Sequence, residues 1–93
     1  MISVVLSTYN DEQTISHAIK SILNQSYLNF ELIIINDCST DKTKEMIQSF
    51  DDSRLIYIEN QKNIGRSRSR NRGIMIAKGE FIAIMDGDDI SAP

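Results

Sequence analysis

The residues best suited to chemistry stand together near the end of the chain, in Asp86-Gly87-Asp88-Asp89. Two carboxylates one residue apart repel each other unless a cation lies between them. Hard oxygen donors suit Mg2+ or Mn2+, and Mg2+ characteristically takes one or two carboxylates together with substrate phosphates. Gly87 lets the backbone turn sharply and keeps a side chain away from a ligand. Phe81 to Met85, just before, is short, uncharged and β-prone, so it reads as a strand buried on both faces. Ligands of open α/β sheets sit beyond the carboxyl ends of the strands, so Asp86 and Asp88 arrive where a metal–diphosphate site is expected. Asp and Gly are also ordinary turn residues after a strand, and the tripeptide alone does not separate the two readings.

Other groups offer chemistry at the ends of earlier strands. Tyr9 can present its ring to a planar base, or simply sit half-buried at a strand end. Asp37 can accept hydrogen bonds from a base edge or from ribose hydroxyls, or act as a turn residue. Arg66, Arg68, Arg70 and Arg72 look like a nucleic-acid patch, but at about 100° per residue Arg66 and Arg70 share one helical face and Arg68 and Arg72 lie nearly opposite. Only one pair can face the site, where Arg suits a diphosphate. His17 reads as a surface residue. Cys38 lies near the site with no paired His, which argues against a thiol nucleophile.

Seven elements must position these groups. Met1 to Ser7 is a β-branched run and reads as the first strand. Asn10 is a candidate N-cap, with Gln13 completing a capping box, for a helix over Asp11 to Asn24. Its apolar face is Ile15, Ala18, Ile19, Ile22 and Leu23. Phe30 to Ile35 is a second, nearly continuous apolar strand. Ser39 or Thr40 can cap a second helix whose inner face is Met46, Ile47 and Phe50. Arg54 to Glu59 is the third strand and Asn60 to Gly65 a polar loop. A third helix runs from about Arg66 to Lys78, with Ile74, Ala77, Asn71 and Met75 on its inner side and Gly79 at C′. The methionines read as core filler. Alternation of buried strands with helices predicts a Rossmann-like βαβαβαβ parallel sheet of order 3-2-1-4 with helices on both faces. The switch point then falls between the first and fourth strands, ringed by Thr8-Tyr9, Asp37 and Asp86-Gly87-Asp88.

Composition bounds the partners. The 93 residues suit one small domain, with 41% hydrophobic and 25% charged residues. A net charge of −3 gives no global attraction to nucleic acid or anionic lipid. The single Cys38 cannot form an internal disulfide and fits a reducing compartment. No apolar run approaches the roughly 20 residues that span a bilayer, and no signal peptide is evident, so a cytoplasmic location is the default. The chain stops directly after its own proposed site and reads as part of a longer enzyme. Receiver domains and aspartyl-nucleophile phosphatases need their acids after other strands. No Gly-x-Gly-x-x-Gly or P-loop follows the first strand, which also disfavours a nucleotidylyltransferase.

The motifs taken in order resemble family 2 glycosyltransferases of the GT-A fold. The resemblance rests on Ile2-Ser3-Val4-Val5-Leu6-Ser7-Thr8-Tyr9-Asn10, Ser21 to Tyr27, Phe30 to Asp41, Asn63-Ile64-Gly65, Arg70-Asn71-Arg72-Gly73-Ile74, Ala77 to Ile82 and Asp86-Gly87-Asp88-Asp89. It covers the whole chain. It implies the donor-binding, N-terminal half of an inverting, metal-dependent enzyme that transfers sugar from a nucleoside-diphosphate sugar, most simply a UDP-sugar, to a carbohydrate or lipid-linked acceptor in polysaccharide or glycoconjugate synthesis. By that resemblance Thr8 and Tyr9 line the base pocket and Asp37 hydrogen-bonds the base. Arg70 and Arg66 approach the base or diphosphate. Asp86 and Gly87 approach the ribose, and Asp88, with Asp86, holds Mg2+ or Mn2+. Ser7, Asn36 and Cys38 depart from common family residues, and the last two put the shape of the loop in question.

The same resemblance places the general base and the acceptor site in a later segment, beyond Pro93. The 93 residues alone are then expected to bind donor weakly or not at all and to transfer little or no sugar, and the longer enzyme to be peripheral to the inner face of a membrane. An uncovered fourth strand would favour self-association. The competing reading is a non-catalytic nucleotide-binding or assembly module.

Overall fold

The computed structural model describes residues 1–25 and 29–87. Its elements are β1 (Ile2–Thr8), α1 (Ile15–Leu23), β2 (Phe30–Asn36), α2 (Thr43–Gln48), β3 (Leu55–Glu59), α3 (Arg66–Ile76) and β4 (Phe81–Asp86). All strands run parallel in the order β3-β2-β1-β4, as the sequence predicts. The register brings Thr8 beside Asn36, Ser7 beside Asp86 and Asn36 beside Glu59. The carboxyl ends of all four strands therefore finish at one level.

Each strand's two-residue alternation feeds two cores. On one face Val4, Leu6, Leu32 and Ile34 meet Ile15, Ala18, Ile19 and Ile22 of α1 and Ile47 of α2, with Met46 and Phe50 against them. On the other, Val5, Ile33 and Ile35 meet Ile58, Ile74 and Ala77. The α3 side turns inward through small residues, Ser69 and Gly73, both buried. A Cβ on Gly73 would stand 2.5 Å from Val5 Cγ1, so the helix lies close enough to the sheet to exclude any larger residue. Met75, expected inside, is 85% exposed, because Ser69 and Gly73 occupy the inner stripe.

Several expectations at the element ends are corrected. Asn10 does not cap α1. It adopts a left-handed φ of 51°, and its side chain accepts from the Thr40 N–H across to the β2–α2 loop. Residues 11–14 form a turn in which Thr14 N and Ile15 N both bond to Asp11 O, and the helix starts at Ile15. Helix α2 begins after Lys42, not after Ser39 or Thr40. The Asp41 carboxylate takes the Thr43 N–H at 2.9 Å, and Ser39 is engaged with Asn36. Helix α3 ends at Ile76, and Gly79 lacks the left-handed backbone of a C′ cap.

Strand β4 is not buried on both faces. Phe81, Ile82 and Ile84 are 69%, 44% and 41% exposed. The strand order makes β4 an edge, and α3 packs on β1 and β2 instead. Among the described residues no helix is long and apolar enough to cross a membrane.

Candidate functional site

β1 and β4 end side by side at the switch point, where an open α/β sheet is expected to hold its ligand crevice. Gly87 N–H bonds to Ser7 O at 2.9 Å, and Ser7 Oγ donates to Asp86 Oδ1 at 3.2 Å. This fixes one carboxylate oxygen. Arg66, the first residue of α3, brings Nη1 to 3.6 Å from Asp86 Oδ2. Arg66 and Asp86 are thus brought together at the switch point. Arg70, one turn further along α3, is half-buried, and its Nε has no hydrogen-bond partner among the described residues. Arg68 and Arg72 lie on the other side, as their spacing requires. Arg72 Nη1 donates to Asn60 Oδ1.

Thr8 is buried at the floor, its hydroxyl given to Asp11 Oδ2 at 2.7 Å, while Tyr9 is exposed at the rim. The same Asp11 oxygen accepts the Tyr9 N–H at 3.2 Å. Thr14 Oγ1 donates to Gly87 O at 3.1 Å, and Thr14, the N-cap of α1, makes no side-chain capping bond. Gly87 is buried between these groups. A Cβ there would collide with the Asp11 carboxylate and the Thr8 hydroxyl, and would come within 2.9 Å of Thr8 Cβ. Its backbone is not left-handed, so the glycine supplies room rather than an unusual turn. Gly87→Ala is expected to destabilise the chain by about 1–3 kcal/mol, read as a lower urea midpoint at unchanged slope.

Asp37 follows β2, and its N–H bonds to Thr8 O at 2.9 Å. Its buried carboxylate accepts from Ile64 N–H, Gly65 N–H and Asn60 Nδ2 at 2.8, 3.0 and 3.0 Å. Burial alone pushes this carboxyl up. The hydrogen bonds from Ile64, Asn60, Gly65 and Ser69 outweigh it and hold the group below its ordinary value, so it stays ionised. The loop after β2 is held by its own hydrogen bonds. Asn36 Oδ1 accepts the Ser39 N–H at 3.2 Å, and Cys38 takes a left-handed φ of 59°. Such backbone costs about 1 kcal/mol in a residue with a Cβ.

Asp88 lies outside the described residues. Among those described, no group of three or more His, Cys, Asp or Glu gathers in a way that could hold a metal. Asp86, with one oxygen toward Arg66, is a hard donor at the mouth of the crevice, which fits the one or two carboxylates a Mg2+–diphosphate unit requires. Sequence reasoning missed Ser7, Asp11, Thr14, Asn60 and Ser69. Two signals were available: Asn60 follows β3 as Asp37 follows β2, and Ser69 and Gly73 are small residues four apart.

The parallel sheet of order 3-2-1-4, with helices on both faces and Arg66 beside Asp86 at its switch point, is a Rossmann-like α/β domain. The chain belongs to glycosyl transferase family 2, whose family model matches residues 3–93. It is 42% identical to an uncharacterized glycosyltransferase of Methanocaldococcus jannaschii, over 100% of this chain and 33% of that protein. It is 40% identical to the Escherichia coli UDP-Glc:alpha-D-GlcNAc-diphosphoundecaprenol beta-1,3-glucosyltransferase WfgD, over 97% of this chain and 36% of that protein. Among solved structures, S. aureus TarS 1-349 in complex with UDP superposes with a TM-score of 0.89 at 31% identity, covering 96% of this chain and 28% of that one. The chain spans about a third of the length of the curated relatives it matches.

Proposed function

We propose that this chain is the donor-binding part of an inverting glycosyltransferase acting in polysaccharide or glycoconjugate synthesis, with a UDP-sugar as donor. The observation that carries the reading is the meeting of Arg66 with Asp86 where β1 and β4 end together. Relatives that include a UDP-Glc-dependent glucosyltransferase and a UDP complex support the choice of donor. Tyr9 offers an exposed ring to the base, Thr8 lies beneath it, and Asp37 stands on the base side with its carboxylate taken by donors from residues 60–65. Arg66 and Arg70 counter the diphosphate charge. Asp86, beside Gly87, meets the ribose and, with Asp88, provides hard oxygens for Mg2+ or Mn2+. When bound, that cation acts as a Lewis acid, offsetting the charge that grows on the departing nucleoside diphosphate.

The general base and the acceptor site, for a carbohydrate or lipid-linked acceptor, are assigned to a segment beyond Pro93. The 93 residues alone therefore transfer little or no sugar. The exposed apolar residues of β4 make self-association of this chain part of the same reading.

Calorimetric titration of the full-length parent with UDP, with and without Mn2+, tests the site. Wild type is expected to bind more tightly with Mn2+, and Asp88→Ala to lose only that metal-dependent gain, about tenfold or more in Kd. Equal binding by both proteins with Mn2+ present would show that Asp88 holds no metal.

A further inference from the structure

A buried polar cluster links the end of β2 to the start of α3. Asp37 receives the Ile64 and Gly65 N–H groups, and Asn60 Nδ2. Asn60 Nδ2 also donates to Ser69 Oγ at 3.0 Å, one turn into α3. Asn60 and Ser69 are buried along with Asp37. Gly65 is the N-cap of α3 and has no side chain to bond the helix's first amides. A carboxylate from across the fold therefore sits at the helix start, where an anion is favourable.

Arg66 comes next in the chain. Its side chain is 66% exposed, and it meets Asp86 at 3.6 Å. A partly exposed pair at 3.6 Å is too weak to fix the long Arg66 side chain in one geometry. The guanidinium must be placed by its backbone, and the backbone at residues 64–65 is held by Asp37. We propose that Asp37 is a positioning residue, which through loop 60–65 and the first turn of α3 sets where Arg66 stands relative to Asp86. The placement is a property of the chain itself. Its consequence for a diphosphate rests on the donor-site reading above. The acid expected to contact the base thereby also governs the arginine expected at the diphosphate.

Amide hydrogen exchange, together with binding of uridine and of UDP, tests this in the full-length parent as wild type, Asp37→Asn and Asn60→Ser. Asn60→Ser keeps the Asp37 carboxylate and removes one of its donors. Both variants are expected to exchange Ile64 and Gly65 amides about tenfold faster, with the amides of Val4 to Leu6 and Leu32 to Ile34 unchanged. Asn60→Ser is expected to weaken UDP about fivefold while leaving uridine within about twofold. A role confined to the base predicts no effect of Asn60→Ser on either ligand, and that result overturns the proposal. Unchanged Gly65 protection in Asp37→Asn overturns it as well. A full-length parent that binds neither ligand refutes the donor site, and the exchange measurement then decides the placement of Arg66 by itself. If a variant also loses β1 and β2 protection, Ser69→Ala, which keeps both Asp37 and Asn60, replaces it under the same criteria.

Discussion

Gly79→Ala is expected to destabilise the chain by about 3 kcal/mol, although Gly79 is remote from the crevice. A Cβ at this position would stand 2.6 Å from Ser3 N, 2.6 Å from Ser3 Oγ and 2.8 Å from Met1 O. Two of those atoms are backbone and cannot rotate away. Relief requires the turn into β4 to lift off β1, where Glu80 N bonds to Met1 O at 3.0 Å and Ile2 pairs with Phe81. The same movement breaks the 2.7 Å bond from Gly79 N–H to Ser3 Oγ. A domain of this length has about 5–14 kcal/mol in total, so the loss is a large share. It corresponds to a fall in Tm on the order of 15 °C, measured by thermal denaturation. A fall within about 2 °C would mean that the turn has space not evident around Ser3.

The second large effect is at Glu31, the one charged residue of β2. Its Oε2 accepts from Ser3 Oγ at 2.6 Å and from Lys78 N–H at 2.7 Å. Ser3 is fully buried and Glu31 nearly so. Glu31→Ala leaves both donors without an acceptor and is expected to cost about 3 kcal/mol in urea denaturation. Because Glu31 and Gly79 share Ser3 as a partner, the two losses should not add in the double variant.

The acid dependence of stability has a definite sign. Burial raises the Glu31 carboxyl, but the hydrogen bonds from Lys78 and Ser3 and the charge of Lys78 outweigh it and hold the group below 4.5. A folded value below the unfolded one means that the stabilisation is complete above pH 4.5. It is lost as pH falls through the folded value. Asp37 and Asp41 are also held low and contribute in the same direction. Stability should be level from neutral pH down to about 5 and then decline, and Glu31→Gln should make that acid decline shallower. An acid decline as steep as that of wild type would remove Glu31 from this account.

Much of the architecture was legible because burial writes period and length into a sequence. The runs at Val4-Val5-Leu6 and Leu32 to Ile35 had to be covered on both faces, and the Ile15, Ala18, Ile19, Ile22 stripe had to face a core. Strict alternation of strand and helix then left few topologies, and the observed order is the predicted one. The relative faces of the arginines followed from helical pitch alone, and Arg66 does reach Asp86.

Element ends and polar partners were not legible, because the groups that decide them come from distant positions. Asn10 has the composition of an N-cap, but its side chain serves Thr40. Gly79 has the composition of a helix terminator, but it is there because Ser3 leaves no room for a Cβ. The burial of β4 failed for a related reason, since an apolar strand does not say whether its neighbours cover it.

The sequence by itself determined the alternation of elements, the inward faces, the sheet order and the set of residues at the strand ends. Tertiary structure alone decided which acid holds which donor. Asp37 is joined to residues 60–65, Glu31 to Ser3 and Lys78, and Asp86 to Ser7 and Arg66. Apolar periodicity is local and repeats along the chain, whereas a buried carboxylate is satisfied by whatever the fold brings within 3 Å, and that pairing leaves no periodic trace.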